Sequence, residues 1–243
     1  MTCGAVWLTR GKGTRRLRRA RATGRAGDEL HLYYDPAVLD EEPPPPELLA
    51  DEGDYTVWFK PYGLRSQGSR WGDHCTVARW SEQHLSPERP AFAVHRLDRA
   101  ANGLILLAHS KRAAAALSAL FRERRVEKRY RVLAHGRFPH EAPTLLDAPL
   151  DDRPARSWVQ RLDHDPRLDR SLLEVRLESG RKHQIRRHLA LAGFAVVGDR
   201  LHGAGGDAED LQLCACLLAF RCPLSGATRR YALPADRLPL LHA

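Results

Sequence analysis

The clearest candidate for chemistry is Asp98, a carboxylate that stands between Arg96 and Arg99. The apolar residues 104–107 follow soon after and predict a buried strand, so the carboxylate would lie close to the start of that strand. Flanking cations favour the ionised form of a carboxylic acid and hold it in place. A nucleophile or a general base needs such an environment, and an ordinary ion pair has the same one. Taken alone, this local sequence favours the ion pair.

Histidines and cysteines could also form metal sites, and their spacing argues against it. His183 and His188 lie five residues apart, whereas zinc-binding pairs on a helix are usually four apart, so a site with His202 is disfavoured. Three of the five cysteines fall within residues 214–222, but their apolar neighbours favour buried free thiols. We therefore expect no metal at these residues, and histidines with a structural role.

Five ordered segments carry a more specific signal. Residues 95–104 around Asp98 match His-Arg-Leu-Asp-x-x-Thr-Ser-Gly-Leu at most positions, and residues 60–63 match Lys-Pro-x-Gly. Residues 128–134 are similar to Lys-x-Tyr-x-Ala, 180–188 to Gly-Arg-x-His-Gln-Ile-Arg-x-His, and 211–215 to Leu-x-Leu-His-Ala. Together these segments cover roughly residues 55–230. In this order they resemble the RluA-type family of RNA pseudouridine synthases.

The resemblance implies a reaction and a set of catalytic residues. Pseudouridine formation breaks the glycosidic C–N bond of a uridine, rotates the detached uracil and rejoins it through C5. The resemblance therefore implies no metal and no other cofactor, and histidines that bond to backbone groups or to RNA. By resemblance Asp98 is the catalytic carboxylate, which would add to the base or sugar or remove the 2′ proton of the sugar. Arg186 would form a salt bridge with it. Tyr130 would supply the flat face on which the flipped uracil rests, with a place in the core as the alternative.

The same resemblance and the surplus of cations suggest residues that contact RNA. A base that leaves its stack leaves a gap, and the planar guanidinium of Arg96 suits that gap while still bonding phosphate. The alternative is that Arg96 pairs with a neighbouring acid. We expect further RNA contacts from four residues: Lys60, Arg99, Arg181 and His183.

The chain departs from the family motifs at three places. Ala101 and Asn102 replace Thr-Ser, Cys214 replaces the histidine of the last motif, and residues 64–69 lack the usual apolar continuation. None of these changes concerns Asp98, Tyr130 or Arg186. They bear on which substrate is used rather than on the reaction.

Charge and composition restrict the partners. The chain has 243 residues and a net charge of +9, which favours an anionic partner, and nucleic acid is the commonest one. We expect ribosomal or transfer RNA, not DNA. No apolar run approaches the roughly 20 residues of a membrane helix, and the N-terminus lacks a secretory pattern. The odd number of cysteines favours a reducing compartment, so we expect a cytoplasmic protein, and a monomer.

A proline-rich run divides the chain into three parts. Residues 41–50 are predicted to be an extended linker, because four consecutive prolines interrupt helices and central strands. Residues 1–40 precede it and are rich in arginine, with a predicted strand over 28–34. This unit resembles the second half of an S4-type RNA-binding domain; a mitochondrial targeting sequence is the alternative. Residues 51–243 are predicted to be the catalytic domain.

The elements that position the candidate residues are predicted from periodicity. Residues 55–59 and 172–177 read as strands, whereas 113–125 and 183–191 have the spacing of helices. Strands and helices follow one another without regular βαβ units. The sequence therefore predicts an α+β fold with a mixed, largely antiparallel sheet and flanking helices.

The predicted function is an RNA pseudouridine synthase, an isomerase that modifies uridines in structured RNA. The alternative is a catalytically weak RNA-binding or ribosome-assembly factor. A nucleoside or base hydrolase would share the pocket and differ in its product. A protein kinase is excluded, because Leu97 stands where the kinase motif has its acid and no glycine-rich loop is present.

Overall fold

A small antiparallel sheet forms the N-terminal part of the protein. The computed structural model describes residues 3–18, 21–42 and 44–241. The first three strands are arranged in the order β2-β1-β3 and comprise β1 (Val6–Arg10), β2 (Gly13–Arg16) and β3 (Glu29–Leu32). We call this the N-terminal sheet.

A second, mixed sheet forms the body of the protein. Eight of its strands follow the order β4-β5-β7-β12-β8-β11-β10-β9, with β6 paired to β7 and β13 to β12. Within the described residues the β7–β12 pair is parallel and the other pairs are antiparallel. The strands are β4 (Glu47–Asp51), β5 (Tyr55–Lys60), β6 (Phe92–Ala93), β7 (Asn102–Ala108), β8 (Glu127–His135), β9 (Thr144–Leu146), β10 (Ser157–Asp165), β11 (Arg170–Leu177), β12 (Leu213–Arg221) and β13 (Thr228–Ala232).

Four helices and a short 3₁₀ turn flank the strands. They are α1 (Pro36–Leu39), α2 (Val77–His84), α3 (Lys111–Arg122), α4 (Gln184–Leu191) and the 3₁₀ turn Ala235–Arg237. Side-chain oxygens of Thr76 and Ser110 cap the first turns of α2 and α3, which explains where these helices begin. In the part of the chain that the structure describes, every helix is too short or too polar to cross a bilayer.

The centre of the mixed sheet is fixed by a close approach of β7 and β12. Gly103 has φ +114°, and a Cβ there would lie 2.4 Å from the carbonyl oxygen of Ala215. Only glycine fits this position. The apolar residues of β7 that follow are fully buried, so this strand is a rigid base for the loop that precedes it.

The predicted fold class is confirmed: the sheet is mixed, largely antiparallel and flanked by helices. The predicted linker over 41–50 is too long, because β4 begins at Glu47 and pairs with β5. An edge strand accepts a preceding proline run, since it needs no hydrogen bonds on its outer side. Residues 1–2, 19–20, 43 and 242–243 lie outside the described residues. The relation of the N-terminal sheet to an S4-type domain stays a prediction.

Candidate active site

A cavity of about 680 Å³ opens beside the loop that carries Asp98. Its walls are this loop, the turn between α3 and β8, strand β8, and the turn between β11 and α4. Asp98 is the one acidic residue of the described lining, whereas seven lining residues are cations. These are Arg96, Arg122, Arg124, Lys128, Arg181, Lys182 and Arg186. The cavity therefore attracts an anionic ligand towards a single carboxylate.

The Asp98 loop is held from both sides. Ser66 Oγ accepts a hydrogen bond from the backbone N–H of Leu97 at 2.9 Å and donates one to its carbonyl at 2.8 Å. The backbone N–H of Gly63 donates to the carbonyl of Arg99 at 2.9 Å. Asp98 itself is partly exposed to the cavity. Its backbone is thus fixed while its carboxylate stays accessible to a ligand.

Arg186 connects Asp98 to a second carboxylate, Asp199. Its Nη1 donates to Asp98 Oδ2 at 3.3 Å, while Nε and Nη2 donate to the two oxygens of Asp199 at 2.8 and 2.5 Å. Burial opposes the charge of Arg186, but the hydrogen bonds and charges of Asp199 and Asp98 raise its pKa. The predicted ion pair of Arg186 with Asp98 is present in the structure, and the guanidinium stays charged beside the carboxylate.

Asp199 is almost wholly buried and is held by more than Arg186. The backbone N–H groups of Leu201 and His202 each donate to its Oδ1 at 3.0 Å. Burial would raise the pKa of Asp199, yet Arg186 and these N–H groups lower it. Asp199 therefore stays ionised and fixes the position of Arg186.

Two histidines border the carboxylate on its other side. His183 Nδ1 and His202 Nε2 share a hydrogen bond of 2.9 Å, and His183 Nε2 lies 3.9 Å from Asp98 Oδ1. Burial lowers the pKa of both rings, in His183 against the attraction of Asp98. His188 bonds Ser157 Oγ and the carbonyl of Ala148, as expected of a histidine with a structural role. Among the described residues no group of three or more His, Cys, Asp or Glu is arranged to hold a metal ion.

Tyr130 lies on β8 and forms part of the cavity wall with Asp98. Its neighbours on the adjacent strands are Val175 and Ala215. Burial and the charge of Asp98 raise the pKa of its hydroxyl, so the ring is neutral. A neutral aromatic ring that lines the cavity can stack on a planar base, and it also packs on the core.

Arg96 and Arg181 both lie where an RNA ligand could reach them. Arg96 is exposed, lines the cavity and forms no ion pair with the described residues, which argues against the alternative that it pairs with an acid. Arg181 also lines the cavity, and its Nε donates to the carbonyl of Pro154 at 3.2 Å. RNA contacts of both residues stay predictions.

Lys60 and Arg99 differ from the prediction. Lys60 is completely buried, and its Nζ donates to the carbonyls of Pro61, Leu64 and Arg99. The prediction that Lys60 contacts RNA directly is therefore wrong. Burial lowers its pKa to about 7, although the charge of Asp98 opposes this shift. Arg99 lies outside the cavity lining and forms an ion pair with Glu41 at 3.0 Å. Its predicted contact with RNA therefore finds no support in the cavity.

Asp199 and Lys128 belong to the site, and the sequence analysis gave neither of them a role. Gly198 and Asp199 follow the Gly-Arg-x-His-Gln-Ile-Arg-x-His segment, and this position was the available signal for a partner of Arg186. Lys128 opens the segment that contains Tyr130. Lys128 and Tyr130 lie two residues apart on β8, so their side chains point to the same face of the sheet and both line the cavity.

Comparison with known sequences identifies relatives of this chain. The profile of a family described as RNA pseudouridylate synthase matches residues 54–191. The dual-specificity RNA pseudouridine synthase RluA of Escherichia coli is 31% identical over 208 residues, which is 78% of this chain and 93% of the relative. An uncharacterized RNA pseudouridine synthase of Synechocystis sp. is 32% identical over 197 residues, 74% of this chain and 66% of that protein.

A third relative and one solved structure extend the comparison. An uncharacterized RNA pseudouridine synthase of Chloroflexus aurantiacus is 37% identical over 179 residues, so the match spans 66% of this chain and only 55% of that relative. The solved structure of human RNA pseudouridylate synthase domain containing 1 superposes with a TM-score of 0.66 and 21% identity. It covers 82% of this chain and 88% of the human one, and it shows that the two share a fold.

Proposed function

Because the chain belongs to the RNA pseudouridylate synthase family, we propose that it isomerises uridine to pseudouridine in RNA with Asp98 as the catalytic carboxylate. The observation that carries this proposal is the ion pair of Asp98 with the buried Arg186 at 3.3 Å, inside a cavity whose other charges are cations. An anionic RNA strand is drawn to these cations, which bring it to one accessible carboxylate. Residues 95–104 resemble the family motif, and the aspartate of that motif corresponds to Asp98.

The surrounding residues suggest how the cavity handles a uridine. Arg186, itself held by Asp199, orients the Asp98 carboxylate towards the reacting carbon of the base or sugar. The ring of Tyr130 offers a flat face against which a detached uracil can turn without loss to solvent. Arg96, an exposed residue of the cavity lining, can fill the gap that the extruded base leaves in the RNA.

We further propose structured ribosomal or transfer RNA as the substrate, and a cytoplasmic monomer as the working form. The basic walls of the cavity and the net charge of +9 support an RNA substrate. Cys75, Cys214, Cys216 and Cys222 are free thiols, which supports a reducing compartment.

Tritium release from RNA labelled at C5 of uridine tests the activity directly. Isomerisation must remove the hydrogen at C5, and glycosidic hydrolysis does not. Wild-type protein should release tritium from ribosomal or transfer RNA, and Asp98→Asn should release none while its RNA affinity stays within a few-fold. An Asp98→Asn protein that turns over at the wild-type rate refutes the assignment of the carboxylate.

The alternative functions give different results in the same assay. A catalytically weak RNA-binding or ribosome-assembly factor would bind both RNAs tightly and release no tritium from either. A hydrolase would release free uracil without tritium exchange at C5. Chromatography of the digested RNA separates these outcomes, because only the isomerase yields pseudouridine.

A further inference from the structure

Lys128 is a charged side chain in an unusual place. It lies on β8, partly buried in the wall of the cavity, and it forms no ion pair or side-chain hydrogen bond with the described residues. Burial and the nearby charge of Arg124 lower the pKa of its amine. Burial of an amine without a partner costs free energy, so the folded protein gains nothing from this charge by itself. Such a residue is typical of a binding site.

Arg124 stands beside Lys128 and has a strained backbone. Its φ is +59°, a conformation that glycine adopts easily and arginine does not. It is the residue just beyond the C-cap of α3, where the N–H of Arg125 bonds the carbonyl of Leu120 at 2.9 Å and that of Arg124 bonds Phe121 at 3.3 Å. This is a Schellman ending, whose usual residue at that position is glycine.

The left-handed turn carries the exposed Arg124 side chain to the cavity, which it lines together with Lys128. Like Lys128, Arg124 forms no ion pair with the described residues, whereas its neighbours Arg122 and Arg125 both approach Glu123. The negative end of the α3 dipole explains cations on the helix end. It does not explain an amine on the adjoining strand that faces the same space.

We propose that Lys128 and Arg124 form a phosphate-binding subsite, which holds a phosphodiester of the RNA strand next to the uridine in the cavity. The proposal rests on the proposed function, since it concerns the same cavity. Two unpaired cations that share one wall of a cavity suit a phosphodiester, because each of its two non-bridging oxygens can accept a hydrogen bond from one cation. Gly180, which lines the same cavity, lies close to this amine, because a Cβ there would be 4.0 Å from Nζ of Lys128.

Salt dependence of RNA binding tests the subsite, because each phosphate contact releases counterions. The probe is a short fluorescein-labelled oligouridine, measured by anisotropy over a series of salt concentrations with full-length protein that carries Asp98→Asn. The added variants are Lys128→Met and Arg124→Gly. We expect each to weaken binding roughly three- to tenfold at low salt and to make the slope of log K against log salt shallower by up to about 0.7, the contribution of one phosphate contact. Their melting temperatures should equal or exceed that of the parent, since a buried amine or a strained residue is removed.

The matched control is Arg112→Gln, which removes one exposed cation from the other end of α3 and should leave the slope unchanged. A slope that stays the same in both subsite variants overturns the proposal, as does a slope that changes equally in the control. Tritium release is measured separately with proteins that keep Asp98. If the wild type releases tritium and the slopes are unchanged, the subsite fails alone; if the wild type releases none, the proposed activity fails.

Discussion

At the scale of single residues, the buried pair of Arg186 and Asp199 determines where Asp98 can point. Side-chain exposure is 4% for Arg186 and 1% for Asp199, and two hydrogen bonds join them. Removal of one member of a buried ion pair leaves the other without compensation, which is far more costly than loss of a surface pair. The third nitrogen of Arg186 reaches Asp98, so a disturbed pair also releases the candidate catalytic carboxylate.

We expect Asp199→Asn to lower the free energy of unfolding by about 3 kcal/mol and to reduce tritium release strongly. Urea unfolding at neutral pH measures the first effect. The control is Asp151→Asn, which removes the exposed partner of Arg187 at 3.0 Å on the same helix and should change stability by less than about 1 kcal/mol. Equal effects of the two substitutions would contradict the importance of the buried pair.

The same pair predicts a pH dependence. The pKa of Asp199 is lowered in the folded protein, so its ionised form contributes stability above the ordinary carboxyl range, and this contribution is lost as pH falls through the lowered pKa. The stability difference between wild type and Asp199→Asn should therefore be largest at neutral pH and shrink on acidification. Unfolding curves over a pH series measure it, and a difference that is constant down to strongly acidic pH would contradict the prediction.

At the scale of elements, the Asp98 loop depends on two attachments. One is the parallel contact of β7 with β12 at Gly103, directly after the loop. The other is Ser66, whose hydroxyl forms two buried hydrogen bonds with the backbone of Leu97. Each attachment gives a prediction.

We expect Gly103→Ala to destabilise the protein by at least about 2 kcal/mol, because a Cβ at φ +114° would collide with the backbone of Ala215 and strain the chain as well. Thermal and urea unfolding measure the loss. Gly24→Ala is the control, since nothing lies within 4 Å of a Cβ there and its φ is not positive. A stable Gly103→Ala protein would show that β7 and β12 can separate locally without cost.

Ser66→Ala should lower kcat more than it raises KM. The substitution deletes two hydrogen bonds and leaves backbone groups of Leu97 unsatisfied, which should lower the free energy of unfolding by about 1–3 kcal/mol. The cations that line the cavity remain, so RNA binding should change little. Steady-state tritium release gives both constants. The exposed Ser225→Ala is the control, because its side chain bonds the N–H of Ala227 at 3.4 Å and the thiol of Cys222 in a turn outside the cavity lining. An unchanged kcat would show that Ser66 does not position the loop.

Elements whose signal is local could be predicted from the sequence, and contacts between distant residues could not. Strands β5 and β11 and helices α3 and α4 could be predicted because their apolar periodicity is local. Asp98, Tyr130 and Arg186 could be named because linear motifs contain them, and the fold brings all three to one cavity. Burial is a tertiary property, so the sequence could not show that Lys60 is enclosed among carbonyls.

Two further residues show the same limit. Lys128 and Asp199 acquire their meaning from neighbours that are distant in sequence, namely the turn after α3 for the first and Arg186 for the second. The composition of residues 41–50 indicated a linker, but only the pairing of β4 with β5 shows where it ends. Partners across the fold, rather than residue types, decide these roles.

At the scale of the whole molecule, the N-terminal sheet is attached to one wall of the site. Trp7 Nε1 donates to the carbonyl of Arg70 at 2.9 Å, and Arg16 Nη2 to that of Ser69 at 2.7 Å. Asp73 forms ion pairs with Arg16 and Arg18. We call residues 65–76 the bridging segment. Its Ser69, Arg70 and Asp73 contact the N-terminal sheet, whereas Ser66 holds the Asp98 loop and Gln67 lines the cavity. These contacts give the N-terminal sheet a second role to test, besides the RNA binding that its resemblance to an S4-type domain predicts.

Asp73→Asn separates these two roles. A role in RNA binding alone predicts an unchanged kcat, whereas a role in positioning predicts a lower kcat. The substitution removes the anionic partner of Arg16 in β2 and of Arg18, two residues further on. A surface that only binds phosphates would therefore bind RNA equally well or more tightly, with kcat unchanged. If the N-terminal sheet also positions the bridging segment, kcat falls although affinity does not. We expect the second result, since Ser66 and Gln67 lie on that segment.

The control is Asp28→Asn, which frees Arg10 in the same sheet without a contact to the bridging segment and should leave kcat intact. A normal kcat in both variants would limit the N-terminal sheet to binding, and deletion of residues 1–40 would then reduce affinity alone.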